Sequence, residues 1–308
     1  MTGKLLRIMH ARRSLVGFGI LAVGVGACER AKPAARVEST AAANAPAAER
    51  AATASAHAWD PSAGRVLLVE GESPGQALVI PPDSATAVSV LTTLPKPAAA
   101  TLLGRGGTVQ AAELDAAGDT ETCRPWPVVA APPPRPWSVG FVGGVVSPIA
   151  LDSLDGFSRA DSTTLVATVI RLASALPNDS AGRFAGLPFS VHSLWRFRLT
   201  GNLQVLAATL VRQINQEATP LQERTLLVAQ RMLSGSDSTY ATAYSERSYG
   251  DEESIETSDI LAAAELGSNR RATLILARDF GDAVSFGFIE RDAEGRWRSR
   301  WTSARRRC

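Results

Sequence analysis

A serine in a G-x-S-x-G pattern, the histidine at position 192 and three cysteines are the side chains best suited to chemistry in this chain of 308 residues. Gly71-Glu72-Ser73-Pro74-Gly75 has the spacing of a nucleophile elbow, in which a strained turn between a strand and a helix exposes the serine hydroxyl. Here Pro74 and the strand-like Gln76-Ala77-Leu78-Val79-Ile80 follow, so the segment reads as a hairpin turn between strands at 65–70 and 76–80. His192 has Arg196 and Arg198 nearby, charges that oppose its protonation, and it reads as a surface histidine. Asp152-Ser153-Leu154-Asp155-Gly156 lacks the ligand spacing of a calcium loop, and neither paired histidines nor a C-x-x-C motif offers a zinc site. The acidic run Gly250 to Glu256 reads as a solvated loop, and Gly104-Arg105-Gly106-Gly107 lacks the Lys-Ser/Thr of a phosphate loop. No catalytic, cofactor-binding or metal-ligating residue is assigned. An anion-attracting ridge is a candidate: strand alternation in Arg296-Trp297-Arg298-Ser299-Arg300-Trp301 puts Arg296, Arg298 and Arg300 on one face and both tryptophans on the other. Arg305, Arg306 and Arg307 follow and would strengthen it.

The elements that must position these groups are mostly strands. The clearest helix is 161–176, where Leu165, Val169, Leu172, Ala173 and Leu176 recur at helical spacing, Ser158 and Asp161 offer caps, and Pro177 ends the run. From 189 to 199 the odd positions Phe189, Val191, Trp195, Phe197 and Leu199 are apolar and the even positions Ser190, His192, Arg196 and Arg198 polar, the pattern of a strand with one wet face. Thr200-Gly201-Asn202 turns the chain into a strand at 203–213, and further strands are predicted at 225–232 and 240–248. A three-stranded meander at 272–278, 283–291 and 296–302 ends the chain, with Trp297 and Trp301 inward. Asp259 to Leu266 fits a short helix or a strand equally well. The fold class is α+β, mainly antiparallel β, built on a curved antiparallel sheet with one substantial helix.

Composition divides the chain further. Residues 28–60 are rich in alanine and proline and nearly free of large apolar side chains, so they cannot bury a core and read as a tether. About 32 residues of coil would reach roughly 30 Å. Residues 61–124 read as a small, irregular β-rich subdomain, 125–136 as a proline-rich linker, and 137–308 as the α+β domain.

The N-terminus carries Lys4, Arg7, Arg12 and Arg13 ahead of the apolar run Leu15 to Cys28, which ends in Val25-Gly26-Ala27-Cys28. The run has the length of a signal-peptide core and falls short of the ~20 residues that span a bilayer. This segment resembles the signal peptide and lipobox of bacterial lipoprotein precursors. The resemblance covers residues 1–28 and implies removal of residues 1–27, with lipid, palmitate included, built on the thiol of Cys28. It also implies an exported protein anchored in the cell envelope. Glu29 in place of an aspartate favours the outer membrane, periplasmic or surface side, where the organism has one. Loss of the leader's four basic residues takes the formal charge from +2 to −2, which argues against a nucleic-acid partner.

Two function classes follow. The first is a lipid-anchored binding, assembly or envelope-maintenance module without chemistry of its own, whose partners are the membrane and an envelope protein or an anionic glycan or lipid ligand. The alternative is an envelope hydrolase using carboxylates or His192. With Cys28 lipidated, Cys123 and Cys308 remain as candidates for a disulfide, in a compartment where such bonds persist.

Overall fold

The computed structural model describes residues 59–73, 75–115, 125–130, 135–177, 182–214, 220–233 and 239–307. The leader, the tether to residue 58 and the three cysteines lie outside the described residues. The fold is mainly antiparallel β, as expected, and is built in four layers: a barrel, two sheets and a helix.

The barrel is made of β1 (Leu67–Glu70), β2 (Gln76–Ile80), β3 (Ala98–Leu103), β4 (Val109–Leu114), β5 (Trp126–Val129) and β6 (Val139–Val142). Its strand order is β1-β2-β5-β4-β3-β6, closed by pairing of β6 with β1. A short helix, α1 (Ala87–Thr92), joins β2 to β3. Val66, Leu68, Val79, Leu102, Leu114, Trp126 and Trp137 belong to one buried cluster, with Leu91 of α1. Gly140 leaves room for it, because a Cβ there would meet the Leu102 side chain at 2.8 Å and the Thr101 carbonyl at 3.0 Å. The stretch read as a linker, 125–136, therefore supplies a barrel strand, and β6 from the next segment completes the wall. Pro127 lies inside this four-residue strand, between β2 and β4, and still contributes to the wall because its carbonyl accepts from the Asp115 N–H at 2.9 Å.

Beyond the barrel come β7 (Val146–Ile149), β8 (Asp152–Ser153), α2 (Arg159–Ser174), β9 (Ser190–Leu199), β10 (Leu203–Ile214), β11 (Leu221–Met232), β12 (Ala241–Asp251), β13 (Thr257–Leu266), β14 (Arg271–Asp279), β15 (Val284–Arg291) and β16 (Trp297–Thr302). They form two five-stranded sheets, β12-β11-β10-β9-β8 and β16-β15-β14-β13-β7. Val205, Ala207, Leu226 and Val228 of the first sheet share a core with Ile260, Leu274, Leu276 and Ile289 of the second. The opposite face of the second sheet, with Leu261, Ile275, Phe286, Phe288 and Trp301, packs on Leu67, Val69, Val139 and Phe141 of the barrel wall. The opposite face of the first sheet takes Leu165, Val169, Leu172 and Ala173 of α2. Each sheet is thus buried on both sides, which is why β10 and β13 carry continuous apolar runs without a clean period of two.

Bulges account for the two places where periodicity misleads. In β13 the register shifts between Ile260 and Ala262, so Leu261 and Ala262 both face the barrel and the alternation disappears. The ambiguous segment 259–266 is a strand. In β9 the shift falls between Ser193 and Val191, which leaves His192 as the extra residue. Phe189 and Val191 therefore join Leu194 against the helix layer, whereas Phe197 faces the core between the sheets. The single wet face expected for this strand does not exist. Helix α2 starts two residues earlier than its spacing suggests, because the Ser158 hydroxyl accepts from the Asp161 N–H at 3.1 Å and donates to its carboxylate at 2.9 Å.

Trp59 is the first described residue and it is well held. Its ring packs edge-on to Trp301 at 4.9 Å and lies 5.3 Å from Phe288, while its indole N–H donates to Gly64 O at 2.6 Å. The glycine-rich turn after β3 also joins layers. Arg105 donates to Asp259 at 2.8 Å and to Leu261 O at 3.3 Å, and its guanidinium lies 5.3 Å from the Trp195 ring.

Candidate functional site

The inner faces of the two sheets change from apolar to polar at one end of the sandwich. Along β14, Leu274 and Leu276 point into the core between the sheets, and Arg278 continues the same alternation. Ser285 lies opposite Arg278 on β15, and Thr302 of β16 lies opposite Gly287. From the facing sheet, Tyr244 and Glu246 of β12 occupy the registers of the core residues Val228 and Leu226. Together they open a cavity of about 290 Å³ lined by Glu246, Glu256, Arg278, Phe280, Ser285, Ser299, Thr302, Ser303 and Arg305.

Arg278 organises this pocket. Its side chain is only 12% exposed, and its two terminal nitrogens are each 2.8 Å from a carboxylate oxygen, one of Glu246 and one of Glu256. Burial opposes the guanidinium charge, but the bonds and charges of the two glutamates more than offset it, so its pKa rises above the ordinary arginine value. The Tyr244 hydroxyl donates to Glu246. Burial, reinforced by the adjacent Glu246 carboxylate, pushes that phenol well above its usual range, so it stays protonated.

Not every polar group here is served. The Nε of Arg278 and the Oγ of Ser285 are buried without a hydrogen-bond partner, and both residues line the pocket. At the rim, the Arg305 guanidinium lies 3.7 Å from the Phe280 ring centre. The tail that carries it is pinned by mutual backbone bonds between Arg306 and Val284 and by the Arg307–Asp282 ion pair at 3.1 Å.

The residues singled out in the sequence lie elsewhere. Ser73 sits in the β1–β2 turn, where Gly71 N–H donates to Gln76 O at 2.8 Å, and a strand rather than a helix follows. His192 is exposed in the β9 bulge and is not among the pocket residues. Trp297 and Trp301 are buried and Arg296, Arg298 and Arg300 are exposed, as the alternation predicts. Two of those arginines are already engaged: Arg296 pairs with Asp292 at 3.1 Å and Glu294 at 2.9 Å, and Arg298 with Asp292 at 3.1 Å. The acidic run divides, with Glu252 and Glu253 in solvent and Glu256 turned to Arg278. Among the described residues no group of three or more His, Cys, Asp and Glu side chains gathers as a metal site.

A second charged cluster, on the helix side of the first sheet, is structural. Arg212 makes a two-pronged pair with Glu223 at 2.9 and 3.1 Å and donates to Phe184 O at 2.7 Å. Arg247 donates to Ala173 O at 3.3 Å and to Pro177 O, which places a cation at the C-terminal end of α2.

Comparison with known protein families, curated proteins and solved structures finds no match for this chain. The pocket is therefore read from its own geometry. Arg278, Glu246 and Ser285 escape a motif search because they come from three strands of two sheets. The trace they leave is an arginine placed in phase with Leu274 and Leu276.

Proposed function

We propose that this is a lipid-anchored cell-envelope protein, a binding, assembly or envelope-maintenance module without catalysis of its own. The anchor reading rests on the basic head, the short apolar run and Val25-Gly26-Ala27-Cys28. Two acyl chains on Cys28 would make attachment stable, since each buried CH₂ contributes ~0.8 kcal/mol. The tether read at 28–60 gives up its last two residues to the fold, where Trp59 packs on Trp301 and Asp60 accepts from Ser62; the rest would let the folded part work away from the lipid headgroups, in the outer membrane where the organism has one. The partners are then the membrane itself and an envelope protein or glycan, with no role for nucleic acid.

One observation carries the non-catalytic part. Glu246 and Glu256 are the carboxylate pair of the pocket, and both are bound to the same guanidinium at 2.8 Å. Hydrolysis by paired carboxylates needs environments that drive the two apart, one protonated as acid and one ionised. A shared arginine gives both carboxylates the same partner at the same distance, so nothing in the pocket sets one apart from the other as acid and base. Metabolic labelling with an alkyne fatty acid, compared between wild type and Cys28→Ser, tests the anchor. Label and detergent-phase partitioning that both vanish in the variant support the reading, and an unlabelled wild type overturns it.

A further inference from the structure

We infer that the pocket between the sheets is a seat for a neutral, hydroxyl-rich ligand, a saccharide; this rests on the reading of the protein as a binding module. The charged groups on the wall are Glu246 and Glu256 against Arg278 and Arg305, so they balance and offer no net field to an anion or a cation. Both terminal nitrogens of Arg278 are committed to glutamates. The fork that would grip a phosphate or carboxylate is therefore filled.

What remains is a set of single donors and acceptors. The Arg278 Nε–H donates only, while the hydroxyls of Ser285, Ser299 and Thr302 both donate and accept. Hydroxyl groups of a sugar match such a set, because each can give and take one bond at once. Gly287 belongs to the same design: a Cβ there would sit 3.4 Å from Arg278 Nε and 3.6 Å from Thr302 Oγ1, so glycine keeps the space beside both open. The cavity, about 290 Å³, lies just below the usual range for ligand sites and suits one or two sugar rings rather than a long chain.

The two unpartnered atoms are the decisive feature. Ser285 is 1% exposed and its hydroxyl bonds to nothing, an arrangement that costs stability in the free protein. Ser285 and Arg278 line the pocket together with Arg305, which is exposed and stacked on Phe280. Among the buried polar atoms left without a partner, these two are on residues that line the pocket beside the hydroxyls of Ser299 and Thr302.

The test uses the full chain in detergent micelles, titrated with glucose, N-acetylglucosamine, maltose and di-N-acetylchitobiose, and separately with inorganic phosphate. Binding is read by saturation-transfer NMR and by thermal shift. At least one neutral sugar should bind, with affinity reduced about tenfold or more in Ser285→Ala and in Thr302→Ala. The Ser285→Ala protein, free of ligand, should melt no lower than wild type. Phosphate binding with no sugar binding overturns the ligand class and leaves the binding-module reading intact. A sugar cleaved during the titration, seen by mass spectrometry, overturns the module reading instead. Absence of sugar binding, or binding that both variants leave unchanged, overturns the seat proposed here.

Discussion

Arg278→Met is the most informative single perturbation of the sandwich. It keeps much of the side-chain volume and removes the positive charge that Glu246 and Glu256 share at 2.8 Å. Removing one partner of a fully buried ion pair costs about 3–5 kcal/mol, because the other charge is left without compensation. Here the glutamates are 27% and 30% exposed, so water takes up part of that penalty, and about 2–3 kcal/mol is expected. For a domain of this size that corresponds to a fall in Tm of roughly 5–10 °C. The loss should be largely recovered when Glu246→Gln and Glu256→Gln are added, since the uncompensated charges are then gone. Thermal unfolding followed by circular dichroism at pH 7 measures it. If Arg278→Met costs less than about 0.5 kcal/mol, or the triple variant is no more stable than the single one, Arg278 is not the electrostatic centre of the pocket.

Other positions give independent tests. Burial raises the Glu70 carboxyl above its usual value, against the opposing backbone bond from Trp137. Its charge is therefore a penalty present above the folded-state pKa and lost as pH falls through it. Glu70→Gln should stabilise the protein at pH 7 and match wild type at a pH well below ~4, and a difference that ignores pH refutes this. Trp59→Ala removes a ring packed on Phe141, Phe288 and Trp301, and should cost about 2–3 kcal/mol in denaturant unfolding; an unchanged midpoint refutes it. Trp126, three residues after Cys123, pairs with Ala77 of β2, and the side chain of Arg306, two residues before Cys308, donates to Val79 O of the same strand at 3.2 Å. A Cys123–Cys308 bridge would add up to roughly 5 kcal/mol in the chain-entropy picture, and non-reducing peptide mapping that finds two free thiols rejects it.

Much of the architecture was readable residue by residue. The terminal meander, the Thr200-Gly201-Asn202 turn and the capped helix on Leu165, Val169 and Leu172 follow from turn chemistry and period. What stayed hidden has physical causes. The bulges at His192 and Leu261 break the period of two at a single residue, and the first leaves only a slight trace, the inverted pair Ser193-Leu194. Barrel closure depends on β6 finding β1, a pairing across some seventy residues that periodicity does not encode. The pocket was hidden for the same reason, since Arg278 meets Glu246 and Glu256 only after two sheets stack. Arg296 and Arg298 were identified as exposed, but their partner Asp292 lies across a turn whose geometry fixes the pairing.

We propose a folded β module held to a membrane through one modified cysteine. Intact-mass and N-terminal peptide mass spectrometry of the protein purified from the membranes of its own cells tests that most directly. The expected result is an N-terminal peptide that begins at Cys28 and carries a thioether-linked diacylglyceryl group. An N-terminal peptide that begins anywhere else, or begins at Cys28 with a free thiol, contradicts it.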